Sequence, residues 1–413
     1  MRLSPTPWLV ATVAFVVLGF TRGLHSSFGV FYVSLLDTFG WSRGATAGVF
    51  SVVLTVDALL SPVVGHLLDR FGTRKIACSG CIILTLGLLL SSTISSLWQF
   101  YIFFGLIAAV GITFTGMVPH VFLISEWFVA NRASAIGFVY AGTGLGILLL
   151  APLSEWLLSN WGWNRSFQVF SGVVLLALMP VVGFFYQPGP FGEKLRSKKE
   201  VKADDPRWTA RLALRSWQFW LLFSARICAA SGTTVIVTHQ VAHVVDVGYS
   251  TFLAASIFGL AGITSSFGRV VFGFIADLLT KQAAYTLNIL MTLVGVGALM
   301  ALRDPSQTWL LYVYVIFFGI GFGSRAVIFS ALTADIFSGK GFGSILGYST
   351  VAVGVGGALG SWLGGAFHDW TGSYLVSFAL SAVVLACSDV CIWLASMPSV
   401  ASRDKRLFGS NPA

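Results

Sequence analysis

An all-α membrane protein, with twelve transmembrane helices in two six-helix bundles and both termini cytoplasmic, is the fold this sequence predicts. The first observation is composition: 56% of the 413 residues are hydrophobic and 10% are charged. The second is spacing. Twelve apolar stretches fill most of the chain, each near the ~20 residues a helix needs to cross a hydrocarbon core ~30 Å thick. Helix satisfies its own backbone there, whereas lipid offers no partner to an open strand. The third is charge. With the N-terminus placed in the cytoplasm, eighteen of the twenty-five Lys and Arg fall in cytoplasmic segments. Arg43, Arg165 and Arg303 lie on the opposite face, and four arginines lie inside spans. That bias orients both ends inward and accounts for most of the net charge of +9. Anionic headgroups are the expected partners of those side chains; nucleic acid is not.

The elements follow in order. The first span, 8–33, carries Arg22 and His25 well inside it and exceeds the ~7–15 apolar residues of a signal peptide, so it reads as a helix of the mature chain. Spans 44–68, 76–95, 97–124, 131–156 and 165–186 complete the first bundle, residues 1–186. Residues 187–216 interrupt the pattern with Pro188, Pro190, Pro206 and a run of Lys, Arg, Glu and Asp, and they read as a cytoplasmic linker. Spans 217–247, 251–279, 283–302, 307–335, 341–367 and 372–396 form the second bundle, 217–398, and a polar cytoplasmic tail fills 399–413. Cys78 and Cys81 form a CxxC without a redox context and read as packing. Gly319, Gly321 and Gly323 lie inside an apolar span with no preceding strand, so they are no nucleotide fingerprint. No catalytic triad or metal cluster is evident. The chain is not expected to be an enzyme, and no cofactor is expected.

The halves resemble each other. Gly65 and Asp69 recur as Gly273 and Asp277, Glu126 as Asp335, Gly137 as Gly347 and Trp98 as Trp309, at offsets of 208 to 211 positions. Such a parallel repeat is the arrangement in which two bundles rock about a site near the bilayer midplane. The stripes Gly142-x-x-x-Gly146 and Gly356-x-x-x-Gly360-x-x-x-Gly364 let helices approach closely, and they are expected at the interface of the two halves.

Gly65-His-Leu-Leu-Asp69-Arg70-Phe-Gly72-Thr-Arg74-Lys75 resembles the signature loop between helices 2 and 3 of the major facilitator superfamily. The resemblance implies a gate in which Gly65 allows close approach, Asp69 engages the other bundle in one state, and Arg70 and Arg74 also hold the topology. In the second copy Gly273 and Asp277 remain but the basic residues are eroded, which implies a weaker gate.

A narrower resemblance runs through most of the chain. Gly19-Phe-Thr-Arg22-Gly-Leu-His25-Ser-Ser-Phe28-Gly29-Val-Phe31, Phe39-Gly40-Trp41-Ser42, Ser96-Leu-Trp98-Gln99, Trp127-Phe128 and Gly268-Arg269-Val-Val-Phe-Gly273 resemble the monocarboxylate-transporter-like branch, which includes oxalate/formate exchangers and proton–lactate carriers. The resemblance implies that Arg269 binds a substrate carboxylate. Many animal carriers of that branch place an aspartate four residues before this arginine for proton coupling; here the residue is Ser265.

An ionisable residue at membrane depth marks a functional site by default. Arg22, Arg226, Arg269 and Arg325 qualify, against few acids, so the cavity is expected to attract anions. A guanidinium grips a carboxylate with two parallel hydrogen bonds. Arg269 and Arg325 are therefore read as anion grips, with a structural role as the alternative for each. Asp57 and His239 are the leading proton-coupling candidates. His243 shares a helical face with His239, one turn before Asp246. Packing is the competing role for the histidines, and a fixed pairing with Arg22 competes for Asp57. His25, His120, Phe28, Tyr32, Tyr140, Phe329 and Tyr348 are candidate cavity residues.

The expected function is secondary active transport by alternating access of a small organic anion, a monocarboxylate such as lactate or pyruvate, in symport with a proton. Dicarboxylate or anion exchange is the rival within the fold, and a non-transporting sensor or assembly factor the rival outside it. The expected setting is a multi-pass position in the cell membrane, a bacterial inner membrane, as a functional monomer.

Overall fold

The computed structural model describes residues 6–128, 132–190, 210–337 and 342–396. Among these, eleven helical stretches are long and apolar enough to cross a membrane. One, Ala135–Phe185, is 51 residues long and contains Gly162 at φ +77°. The chain turns there, so the spans number twelve. We label them α1 (Pro7–Phe39), α2 (Arg43–Phe71), α3 (Thr73–Ser91), α4 (Leu97–Trp127), α5 (132–161), α6 (163–185), α7 (Trp217–Asp246), α8 (Thr251–Leu278), α9 (Lys281–Ala301), α10 (Thr308–Ile336), α11 (Phe342–Thr371) and α12 (Tyr374–Ala395).

Local chemistry sets the boundaries. Ser42 caps α2 and Ser250 caps α8, each accepting from the backbone N–H three residues on. Gly40 ends α1 in the left-handed conformation at φ +64° and ψ +23°, a few residues beyond the expected end at 33. Gly72, in the signature loop, has φ +78° and ψ +161°, a region that a side chain disfavours. The repeat is visible in these details: the turns at Gly40 and Gly248 lie 208 positions apart, and those at Gly162 and Gly372 lie 210 apart. α4 is irregular, with a π-helical stretch at Tyr101–Ala108 and a break at Thr115–Gly116.

The glycine stripes bind helices within each half, which corrects the expectation of an inter-half interface. A Cβ on Gly19 would lie 2.7 Å from the Gly142 carbonyl oxygen, and one on Gly23 would lie 2.6 Å from that of Gly146. α1 and α5 are thus in backbone contact. Gly356 and Gly360 do the same for α11 against Ile227 and Ser231 of α7. The halves meet along neighbouring faces instead, because a helix can present two small faces to two partners. Gly144 meets Gly262 and Ser266, and Gly354, Gly357 and Gly365 meet Ala58, Leu54 and the Arg43–Gly44 backbone.

These contacts seal one end of the molecule. From the Gly40, Gly248 and Gly372 turns the seal runs inward through Ser361 Oγ to Ala47 O (3.0 Å) and Ser51 Oγ to Ala358 O (2.6 Å). It ends at Ala58 against Gly354 on α2 and α11, and at Tyr140 against Arg269 on α5 and α8. Pro62 removes a backbone hydrogen bond from α2 just beyond that point. Towards the opposite end, a Cβ on Gly65 or Gly137 would meet nothing within 4 Å. The close approach expected at Gly65 is not seen among the described residues.

Candidate functional site

The inner margin of the seal collects the charged side chains. A Cβ on Gly268 would lie 2.8 Å from Ile320 Cα, and one on Gly323 would collide with the Ser265 carbonyl. These two glycines draw α8 and α10 together and turn the next residue, Arg269, towards the other half. Its Nε donates to Gly323 O (3.3 Å), and its Nη1 crosses to α5 and donates to Tyr140 O (2.9 Å). Among the described residues Nη2 makes no such contact. Ser265 is fully buried and gives its hydroxyl to Gly262 O of its own helix.

The first half contributes Arg22, Asp57 and His25. Arg22 Nη1 pairs with Asp57 Oδ2 at 3.1 Å, with side chains 13% and 22% exposed. The α4 break makes the space: a Cβ on Gly116 would lie 2.8 Å from Arg22 Nη2. His25 packs on Phe50 at 4.9 Å, within electrostatic reach of both members of the pair. Arg22 Nε and His25 Nε2 are buried without a hydrogen-bond partner, a cost that sites with a polar ligand carry.

The other arginines divide. Arg226 donates to Ser349 Oγ at 2.6 Å and lies 4.5 Å above the Phe329 ring, so Phe329 is the floor of a cation. Arg325 turns into the second half. It donates to Asn288 Oδ1 (3.3 Å), Ala229 O (3.3 Å), Thr292 Oγ1 (3.0 Å) and Thr233 Oγ1. Among the described residues no carboxylate pairs with Arg226, Arg269 or Arg325, whereas Arg22 is matched by Asp57.

The remaining candidates scatter. His120 spends both ring nitrogens, on Gly116 O (2.6 Å) and Tyr186 Oη (2.7 Å), inside the first half. Phe28 is core, stacked on Phe50 at 4.7 Å. His243 meets Leu299 O of α9 at 2.9 Å. His239 lies in the seal, with Nε2 at 2.8 Å from Ser361 O and Tyr32 edge-on at 5.5 Å. Tyr348 is 48% exposed. Arg70 and Arg74 are exposed beside Gly72; Asp69 and Asp277 occupy the last turns of α2 and α8, and their side chains lie outside the described residues, as does that of Asp335.

A polar network at the sealed end was missed from sequence. Arg43 grips Asp246 with Nη1 to Oδ2 at 2.6 Å and Nη2 to Oδ1 at 2.9 Å. It also donates to Tyr374 Oη at 2.8 Å. Asp369 accepts from Arg43 N (2.9 Å) and Gly44 N (2.7 Å). His368 Nε2 lies 3.9 Å from Asp246 Oδ2. The available signal was weak: one basic residue on a face nearly free of them, and acids at the distal ends of two later spans.

Comparison with known proteins agrees with this architecture. The sequence profile of the Major Facilitator Superfamily matches residues 11–324 and 283–411. Monocarboxylate transporter 13 of Rattus norvegicus is 30% identical over 393 residues, covering 94% of this chain and 88% of that protein. Monocarboxylate transporter 2 of the same organism is 27% identical over 402 residues, covering 93% and 81%. Among solved structures, a bacterial homologue of the human lysosomal transporter Spinster, in an inward-facing and occupied conformation, has a TM-score of 0.74 at 15% identity, covering 95% of this chain and 97% of that one. The nucleoside transporter NupG has a TM-score of 0.76 at 11% identity, covering 95% and 100%.

Proposed function

Because the chain belongs to the Major Facilitator Superfamily, in its monocarboxylate-transporter branch, we propose that it moves a small monocarboxylate such as lactate or pyruvate together with a proton, by alternating access, as a multi-pass protein of a bacterial inner membrane. The observation that carries this reading is Arg269: a guanidinium at the junction of the halves that, among the described residues, is bonded to backbone carbonyls alone, through Nε and Nη1, and has no carboxylate partner. A carboxylate docked there would complete the charge and bridge the halves through Tyr140. The charge bias of the loops makes the sealed end the outer one, so substrate would reach Arg269 from the cytoplasmic side in this state.

Proton coupling follows from competition for Arg22. While Asp57 is ionised it holds Arg22 at 3.1 Å. A proton on Asp57 would release that guanidinium, and its unpartnered Nε, to join Arg269 around the anion. Proton and anion would then bind cooperatively, with no net change in the charge of the site and without an acid at position 265. While Asp57 is ionised, Arg22, Asp57 and Arg269 together carry a single positive charge, which one carboxylate balances. Arg325, with four protein partners, reads as scaffold.

The test is uptake into liposomes of labelled lactate, pyruvate, oxalate and succinate by purified protein under imposed pH gradients. Arg269→Lys keeps the charge and loses the fork; the expected outcome is normal insertion with at least a tenfold loss of uptake, about 1.4 kcal/mol. Wild-type uptake by a folded Arg269→Ala protein would remove Arg269 from the site. Exchange that ignores the proton gradient would favour the antiport reading.

A further inference from the structure

Helix α2 begins in an unusual way. Its own cap, Ser42, accepts from Ala45 N, which leaves the first two N–H groups of the helix to be satisfied elsewhere. Both are taken by one carboxylate from the other half: Asp369, in the last turn of α11, accepts from Arg43 N and Gly44 N. The backbones are pressed together to allow it. A Cβ on Gly365 would lie 2.6 Å from Arg43 O, and one on Gly44 would lie 3.0 Å from Ala366 N. The side chain of Arg43 meanwhile engages a second acid from the same half, Asp246 at the end of α7, and lies over the Tyr374 ring at 5.1 Å. Its carbonyl accepts from Tyr32 Oη at 3.1 Å. One residue of the first half is thus held by α7, α11 and α12 through backbone, side chain and ring.

The repeat supplies an internal control. Arg43 and Ser42 correspond, 208 positions on, to Thr251 and Ser250, and Ser250 caps α8 in the same manner. Asp369 corresponds, 210 positions back, to Ser159, whose hydroxyl bonds to carbonyls of its own helix. Among the described residues no carboxylate from the opposite half meets the start of α8, so the arrangement at α2 is not needed to form the helix.

We propose that Asp369 is the catch of the outer gate: its carboxylate caps α2 across the two halves only while the outer face is shut, and its release, together with the Arg43–Asp246 pair, is what opening to that face requires. Two aligned charge-assisted hydrogen bonds at a positive helix end set the balance between the shut and open states. The proposal rests on the alternating-access reading above and on no choice of anion.

The experiment needs no substrate. Ser361, fully buried between α7 and α2 beneath the catch, is replaced by Cys in an otherwise cysteine-free chain, and its modification by a membrane-impermeant thiol reagent is timed from the outer side. Labelling rate follows the open fraction. Asp369→Ala should raise it on the order of tenfold, the effect of removing a strong helix cap. Asp369→Asn, which keeps a neutral acceptor, should raise it a few-fold and serves if the alanine variant folds poorly. Asp304→Ala, removing an acid from a loop at the same end, should leave it unchanged. Labelling of both Asp369 variants at the parent rate would overturn the proposal. So would an equal rise in Asp304→Ala, which would mean general loosening of that end. Either result leaves uptake by the parent protein, and with it the transport reading, untouched.

Discussion

Replacing Asp57 by Asn tests the competition for Arg22 directly. The pair is 3.1 Å apart and only partly open to solvent, and a hydrogen bond to a charged partner in such a setting contributes about 1.5–3 kcal/mol. An anion that must displace ionised Asp57 from Arg22 forgoes that much of the guanidinium's grip. In Asp57→Asn the displacement is unnecessary, so anion affinity at neutral pH should rise by about ten- to a hundredfold. The pH dependence should vanish with it. In the parent protein, lowering pH protonates Asp57, frees Arg22 and tightens anion binding; raising pH lets Asp57 recapture Arg22 and weakens it. One coupled proton gives a slope of at most about tenfold per pH unit. Equilibrium binding of labelled lactate between pH 5 and pH 8 reads both quantities, and liposomes read the consequence, loss of gradient-driven accumulation with exchange at equal pH retained. A parent-like pH slope in Asp57→Asn would refute the reasoning and return the proton to another group.

Two further outcomes follow from the packing. Arg325→Met should lower thermal stability in detergent by the equivalent of about 1–3 kcal/mol, the cost of leaving buried acceptors at Asn288, Thr233 and Thr292 without their donor, while leaving the relative uptake of lactate and succinate unchanged; a selective loss of succinate uptake would restore Arg325 as an anion grip. Gly65→Ala should scarcely alter stability in this conformation, because its Cβ meets nothing within 4 Å, yet it should slow net uptake several-fold if that end must close tightly in the other state; unaltered uptake kinetics would show that Gly65 needs no close approach.

Much of the fold was legible because it rests on quantities local to the chain: apolar length, loop charge and the glycines that turn it. The site was legible in part. Arg22, Asp57 and Arg269 stood out because a charge in a span is expensive wherever it faces. Which way each charge faced was not legible. Arg325 and Arg269 have the same depth in sequence, but the glycines at 268 and 323 aim one across the halves, while Asn288, Thr233 and Thr292 draw the other inward. The surroundings of the histidines were hidden for a related reason: carbonyls of Ser361, Leu299 and Gly116 each hold one ring nitrogen of His239, His243 and His120, and a carbonyl leaves no mark in a sequence. Arg43, Asp246 and Asp369 meet only after twelve spans have closed, which no local window can see.

The irregularity of α4 has a numerical counterpart. α4 holds 31 residues and its repeat mate α10 holds 29, though both cross the same slab. The offset between the halves falls accordingly from 211 at their first residues, Leu97 and Thr308, to 209 at their last, Trp127 and Ile336. The first copy thus carries two more residues between its ends than the second. A π turn accommodates an extra residue by widening the helix instead of extending it, and Tyr101–Ala108 is such a place; the break at Thr115–Gly116, where Arg22 finds its space, is another. The duplicated halves thus differ in length as well as in sequence, and the charge pair lies against one of the irregularities that absorb the difference.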